Sequence, residues 1–197
     1  NTLNSTRWMA AIQHAPGIAE MVTAFARLTK SISKGTQKLV PLQEELALLN
    51  DYFTIQQYRY GGDLAIEVSR IESETLCRDC MIPRFTLQPL VENAIIHGIA
   101  RKEEGGRIFL RIWKRKDKIV ISLADTGVGM DEETLKKLMD ALKGHRTARV
   151  GIGLGNIYQR IKSMYEDGDL RIYSKAGKGT VVQIILPAAR EEDYQKI

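Results

Sequence analysis

Thr86-Leu87-Gln88-Pro89-Leu90-Val91-Glu92-Asn93-Ala94-Ile95-Ile96-His97-Gly98 is the stretch around which the rest of the chain is read. Leu87, Leu90, Val91, Ala94 and Ile95 recur at three- and four-residue spacing, which predicts one buried stripe of an amphipathic helix. Thr86 is expected to cap its start. Pro89 falls in the first turn, where a missing N–H costs little. At about 100° per residue, Glu92, Asn93, Ile96 and His97 project from the opposite face. A carboxylate, an amide and an imidazole together suit metal and phosphate chemistry. The same face also reads as a solvated helix surface, and the helix alone leaves both readings open. Ile96, at the centre of that polar face, is expected to lie under a lid residue or the edge of a ligand.

Working outward, Lys118 to Asp125 reads as a strand. Ile119, Ile121, Leu123 and Asp125 share one face of it, because side chains alternate. The three apolar residues must face a helix layer, so Asp125 faces it too. A carboxylate aimed into an apolar layer needs a partner, and the exocyclic amine of an adenine is a natural one. Gly127 and Gly129 then let backbone approach such a ligand closely. Gly151-Ile152-Gly153-Leu154-Gly155-Asn156 precedes a helix. It is a candidate phosphate cradle and, after a basic loop at 143–149, reads as the hinge of a lid. No Lys-Ser/Thr follows it, and no parallel βαβ unit surrounds it, so it is neither a P-loop nor a dinucleotide fingerprint. Gly177-Lys178-Gly179-Thr180 opens the last strand, with Thr180 on the same face as Val182, Ile184 and Leu186.

The remaining segments supply the frame. Two helical pieces are expected in residues 1–34, broken near His14-Ala15-Pro16-Gly17. A third helix runs from near Pro41 to the residue before Gly61-Gly62. From Leu64 the order is strand, helix, two strands, lid, helix, two strands. That predicts an α+β protein: a two-layer α/β sandwich with a mixed, mainly antiparallel sheet, preceded by a helical hairpin remnant. The chain has 197 residues, 44% hydrophobic and 27% charged, with a formal charge of +5. The basic residues are scattered, so nucleic acid is not an expected partner. No apolar run reaches the length of a membrane span. The sequence opens on Asn1 and already reads as helix, so it is expected to be part of a longer chain. Cys77 and Cys80 form one Cys-x-x-Cys with no second pair, weak grounds for a zinc site.

Taken together, Glu92-Asn93-x-x-x-His97 on a helix, Asp125-Thr126-Gly127-Val128-Gly129 after a strand, Gly151-Ile152-Gly153-Leu154-Gly155 before a helix and Gly177-Lys178-Gly179-Thr180 before the last strand resemble the Bergerat ATP-binding fold. That is the fold of the GHKL superfamily of gyrase, histidine kinases and MutL. Leu87-Gln88-Pro89-Leu90-Val91-Glu92-Asn93-Ala94-Ile95-Ile96-His97-Gly98, Pro41-Leu42-Gln43-Glu44-Glu45-Leu46 and Tyr58-Arg59-Tyr60 look like the sensor kinases of the YesM/LytS type.

The resemblance implies a protein-histidine kinase. It would transfer the γ-phosphoryl group of ATP to a histidine, for relay to the aspartate of a response-regulator receiver domain. Asn93 would hold Mg²⁺, and Glu92 would act as base or polariser. His97 would lie near the phosphates. Asp125 would accept from the adenine amine, with Thr180 helping through water, and Gly127 and Gly129 would line the base. Gly151, Gly153, Leu154 and Gly155 would hinge the lid. The implied organisation is a partial dimerisation and phosphoacceptor region at 1–34, a connecting helix at 35–63, the ATP-binding catalytic domain at 64–187 and a tail at 188–197. The parent would be a homodimeric bacterial membrane protein with this portion in the cytoplasm. Its acceptor histidine is expected just before Asn1, so these residues alone would not phosphorylate themselves there. Pro89 and Ile96 stand where many histidine kinases carry a second Asn and a Lys, which implies a modest affinity for ATP. The alternatives are an ATP-hydrolysing clamp of the same superfamily and a nucleotide-binding sensory scaffold without transfer activity.

Overall fold

The computed structural model describes residues 2–33, 38–60, 64–71, 80–143 and 152–188. Two helices, α1 (Thr2–Ile12) and α2 (Pro16–Ser33), meet at a break where His14 takes a positive φ of 54°. A short strand β1 (Leu39–Pro41) leads into α3 (Leu42–Tyr60), which packs against α2. Next come β2 (Leu64–Ile71), β3 (Met81–Pro83) and α4 (Leu87–Asn93). The helix does not stop at Asn93. It widens into a π turn over Ala94–Gly98 and then tightens into a 3₁₀ turn over Ile99–Arg101. The hairpin β4 (Gly106–Arg115) and β5 (Lys118–Asp125) follows, then α5 (Glu132–Leu142), α6 (Ile152–Met164), β6 (Asp169–Lys175) and β7 (Gly179–Pro187).

The main sheet has five strands in the order β2-β4-β5-β7-β6. β2 pairs with β4 in parallel, and every other pair is antiparallel. The sheet is therefore mixed and mainly antiparallel. A separate two-stranded sheet joins β1 to β3. The period-two pattern places Ile119, Ile121 and Leu123 of β5 in the core, beside Ile108, Leu110 and Ile112 of β4 and Ile184 and Leu186 of β7. They meet the predicted stripe of α4, with Leu87, Leu90, Val91, Ala94 and Ile95 all buried, and Ile157 and Ile161 of α6. A sheet covered on one face by helices is the two-layer sandwich expected from the element order. No helix among the described residues is long and apolar enough to cross a membrane.

One local expectation is corrected. Thr86 does not cap α4. It sits in the helical region at φ −90°, and its hydroxyl donates back to the Pro83 carbonyl. The orphan N–H groups are met instead by Glu45 of α3, whose carboxylate accepts from Phe85, Thr86 and Leu87. Ile96 is 50% exposed, and residues 144–151 of the expected lid lie outside the described residues. Cys80 is buried just before β3, whereas Cys77 and His145 lie outside the described residues.

Candidate functional site

A cavity of about 410 Å³ opens between α4 with its π turn and the adjoining ends of β5 and β7. That size falls in the range of small-molecule sites. Asn93, His97, Asp125, Gly129, Leu154 and Thr180 all line it. Six of the sequence-predicted residues, from six separate elements or turns, thus come to one place.

Asp125 is 8% exposed at the end of β5. Its Oδ1 accepts the N–H groups of Gly127 at 2.8 Å and Thr180 at 3.3 Å. Burial pushes its carboxyl up from the ordinary range, while those two N–H groups pull it back down. Both described bonds fall on Oδ1, so Oδ2 keeps its capacity for a donor in the cavity. The antiparallel register sets Asp125 directly opposite Thr180. Ser174 of β6 in turn faces Thr180, and their hydroxyl oxygens lie 2.9 Å apart. The Ser174 hydroxyl also accepts from the Met130 N–H at 2.8 Å.

The glycines after Asp125 are held by backbone. Gly127 packs so closely on Gly98 that a Cβ there would collide with the Gly98 backbone. The next residue, Val128, donates its N–H to the Gly98 carbonyl at 3.2 Å and accepts from the Gly177 N–H at 2.7 Å. Gly179 has φ +104°, and a Cβ would run into the carbonyl oxygen of Asp125. The Asp125–Gly129 loop is therefore stitched to the π turn on one side and to the β6–β7 hairpin on the other.

The α4 wall is different. Asn93 and His97 are one turn apart on the cavity side. Among the described residues, the Asn93 Nδ2 is buried with no hydrogen-bond partner. A Cβ on Gly153, in the first turn of α6, would come within 3.5 Å of that nitrogen. Gly155 faces Leu142 of α5 instead, at 3.9 Å from such a Cβ, and Gly151 lies outside the described residues. Glu92 does not line the cavity. It accepts from the Gln88 amide at 2.9 Å. Burial, with the Glu92 charge next in importance, pushes the Tyr52 phenol of α3 up to about 12. The carboxylate thus lies toward α3, one helical step away from Asn93.

The cavity residues Arg101, Met130 and Leu138 were not singled out from the sequence, nor was Ser174, which backs Thr180 from outside the lining. Ser174 carried a usable signal. It sits symmetrically opposite Thr180 about the turn Ala176-Gly177-Lys178, so pairing that hairpin on paper sets the two hydroxyls side by side.

With this geometry in hand, residues 82–190 match the family described as histidine kinase-, DNA gyrase B- and HSP90-like ATPase, and residues 1–64 match the histidine kinase family. The chain is similar to the sensor histidine kinase YesM of Bacillus subtilis, at 33% identity over 97% of this chain and 31% of that protein. It is also similar to the sensor protein LytS of Oceanobacillus iheyensis, at 35% identity over 89% of this chain and 29% of that protein. It therefore spans about a third of the length of these relatives. The catalytic domain of the histidine kinase ThkA shares the fold at a TM-score of 0.53 and 17% identity, over 78% of this chain and 97% of that one. ThkA in complex with the response regulator TrrA matches at a TM-score of 0.50 and 16% identity, over 90% of this chain and 51% of that one.

Proposed function

The chain belongs to the family of histidine kinase-, DNA gyrase B- and HSP90-like ATPases, and from that premise we propose that it is the ATP-binding catalytic portion of a sensor histidine kinase. It moves the γ-phosphoryl group of ATP to a histidine, for relay to the aspartate of a response-regulator receiver domain. The match of residues 1–64 to histidine kinases favours this reading over an ATPase clamp. The apolar residues that α1 and α2 leave exposed, Trp8, Met9, Ile12 and Phe25, support a second copy of the chain as partner. Membrane anchorage belongs to the longer protein in this reading.

The observation that carries the proposal is a buried, half-satisfied carboxylate and a half-buried amide whose buried nitrogen has no partner among the described residues, both in one cavity. Asp125 accepts the adenine amine through Oδ2, and Thr180, aligned by Ser174, holds a water beside it. Gly127 and Gly129 bring backbone to the edge of the base. Asn93 serves the other end. Its amide presents either a donor or an acceptor after a half-turn, so the orphaned position suits an oxygen ligand to a cation.

Mg²⁺ fits this donor set. Among the described residues no three His, Cys, Asp or Glu side chains converge as a metal cage. Mg²⁺ is usually held by one or two protein groups together with substrate phosphates and waters. Bound there, it would neutralise charge on the transferring phosphoryl group. His97 faces the phosphates from the same wall. Gly153 and Leu154 close the opposite side, with Gly151 and Gly155 at the hinge of the lid. For Glu92 to act as base or polariser, its carboxylate must exchange the Gln88 bond for the attacking histidine. The domain plan follows: helical region at 1–34, connecting helix at 35–63, catalytic domain at 64–187, tail at 188–197.

The test is transfer in two parts. The chain with Mg²⁺ and γ-labelled ATP should bind nucleotide and label a separately supplied helix bearing a phosphoacceptor histidine. The label should be acid-labile. Binding without any transfer to such an acceptor would return the reading to a nucleotide-binding sensory scaffold, and failure to bind ATP would overturn the nucleotide site itself.

A further inference from the structure

The turn from Arg84 to Leu87 collects bonds from three helices. Glu45 of α3 is 2% exposed. Its carboxylate accepts the N–H groups of Phe85, Thr86 and Leu87 at 2.7, 2.9 and 3.0 Å. Burial pushes that carboxyl up, and the three N–H groups pull it down. The Arg84 guanidinium donates to the Ser31 carbonyl of α2 at 2.8 Å and lies 3.5 Å from Glu44 of α3. From the other side, Arg160 of α6 donates to the Arg84 carbonyl. Phe85 adopts φ +57°, the left-handed region that non-glycine residues seldom occupy, so the turn holds its shape against local preference.

What this turn controls follows from its place. It opens α4, which ends at Asn93, and α6 faces Asn93 through Gly153. At the far end of the same helical run, Gly98 is clamped to the Asp125 loop by the Val128 N–H. The run is thus pinned twice: at Gly98 by the sheet and at Leu87 by Glu45. Loosening the Glu45 end leaves the Gly98 end fastened. The half of the cavity built on β5 and β7 keeps its own bonds in either case.

We propose that Glu45 is a positioning residue for the nucleotide site: its carboxylate ties α4 to the α2–α3 hairpin, so that movement of the hairpin shifts Asn93 while the Asp125 end of the cavity stays in place. The inference rests on the reading of Asn93 as the metal–phosphate contact. It makes the turn at Arg84–Leu87 the joint between the helical region and the site. Hairpin motion would tune how well the metal–phosphate end is assembled and would leave recognition of the base unchanged.

Two ligands separate the ends: Mg–ATP, and adenosine in the presence of a chelator. Calorimetry on the full chain would compare the parent, Glu45→Gln, Glu45→Ala and Asn93→Ala. Glu45→Gln keeps one acceptor oxygen but sets an NH₂ against the backbone donors. It should weaken Mg–ATP binding by about tenfold, the lower end of effects from disturbing the shell behind a metal contact. Adenosine affinity should stay within about twofold of the parent, as expected for a site that is not coupled to the change. Deuterium exchange should quicken at the amides of α4 and hold steady in β5. If the parent fails to bind Mg–ATP, or Asn93→Ala binds it equally well, the site reading falls and this inference with it. If Asn93→Ala weakens Mg–ATP but Glu45→Gln matches the parent, or loses both ligands to the same degree, the inference alone is overturned. Loss of folding in both Glu45 variants would also overturn it, because Glu45 would then be a determinant of the whole fold.

Discussion

Asp125 and Asn93 line one cavity, yet their surroundings differ. Asp125 has backbone donors from two directions, a strand partner opposite it and a second hydroxyl behind that partner. Asn93 has a buried nitrogen with no partner among the described residues, facing a glycine in the first turn of α6. One end is finished in its geometry before any ligand arrives, with the Oδ2 of Asp125 left for a donor from the ligand. The other presents polar groups whose partners must come with the ligand. A finished end selects, because its donors and acceptors are fixed in advance and a mismatched base leaves one of them unmet. An unfinished end can assemble around charge that is delivered and then taken away, as phosphoryl transfer demands.

The contrast can be broken from the finished side first. Gly179→Ala should be the most damaging change, since its Cβ would enter the Asp125 carbonyl at a φ that alanine disfavours. We expect a loss of about 3 kcal/mol, read as a lowered denaturant midpoint. Near-parental stability would mean that the loop is less tightly determined than described. Asp125→Asn comes next. It should cut the preference for ATP over GTP by roughly a hundredfold, as when a buried polar group loses its matched partner. Equal discrimination in variant and parent would remove the adenine contact. Asn93→Ala should weaken Mg–ATP by about tenfold or more, with adenosine affinity and thermal midpoint close to those of the parent. A matching loss of adenosine affinity would erase the difference between the ends.

A pH titration sharpens the same point. Burial raises the Asp125 carboxyl in the folded chain. Its contribution to the stability of the free chain is therefore fully present below the ordinary carboxylate value, about 4, and is lost as pH rises through the raised value. For the nucleotide the sign reverses, because only the ionised carboxylate accepts the amine. ATP affinity should fall on acidification, starting at a higher pH than an ordinary aspartate would give, and Asp125→Asn should flatten that limb. Ser174→Ala should have the smallest effect. Losing the hydroxyl that lies between Met130 and Thr180 should cost about 1 kcal/mol of stability and a few-fold in ATP affinity.

The finished end was also the end that could be read from the sequence. Alternation along Ile119, Ile121, Leu123 and Asp125 is a local rule, and it aims the carboxylate at the helix layer, where the cavity lies. Helical spacing likewise brought Asn93 and His97 to one side. The same spacing grouped Glu92 with them, whereas the structure turns Glu92 toward Gln88 and Tyr52. A hundred-degree step is enough to part neighbours when two different elements flank the helix. The cap of α4 was beyond local reading altogether. Thr86 was the obvious candidate by position. The carboxylate that does the capping comes from about forty residues away, and a glutamate in Glu44-Glu45 reads as a solvated helix face. The π turn at Ala94–Gly98 had no signal either, because the stripe of apolar residues runs through it without interruption.

Because Asp125 and Thr180 face each other across the β5–β7 ladder, neither strand can absorb a change in length. One inserted residue in β5 would carry Asp125 to the opposite side of the sheet and exchange the core row of isoleucines for its neighbours. At the other end of β5, the turn of the β4–β5 hairpin between Arg115 and Lys118 stands away from the cavity, and Lys116 already tolerates a positive φ of 58°. Length variation among descendants of this chain should therefore collect there, and the strands that carry the base contact should change by substitution only.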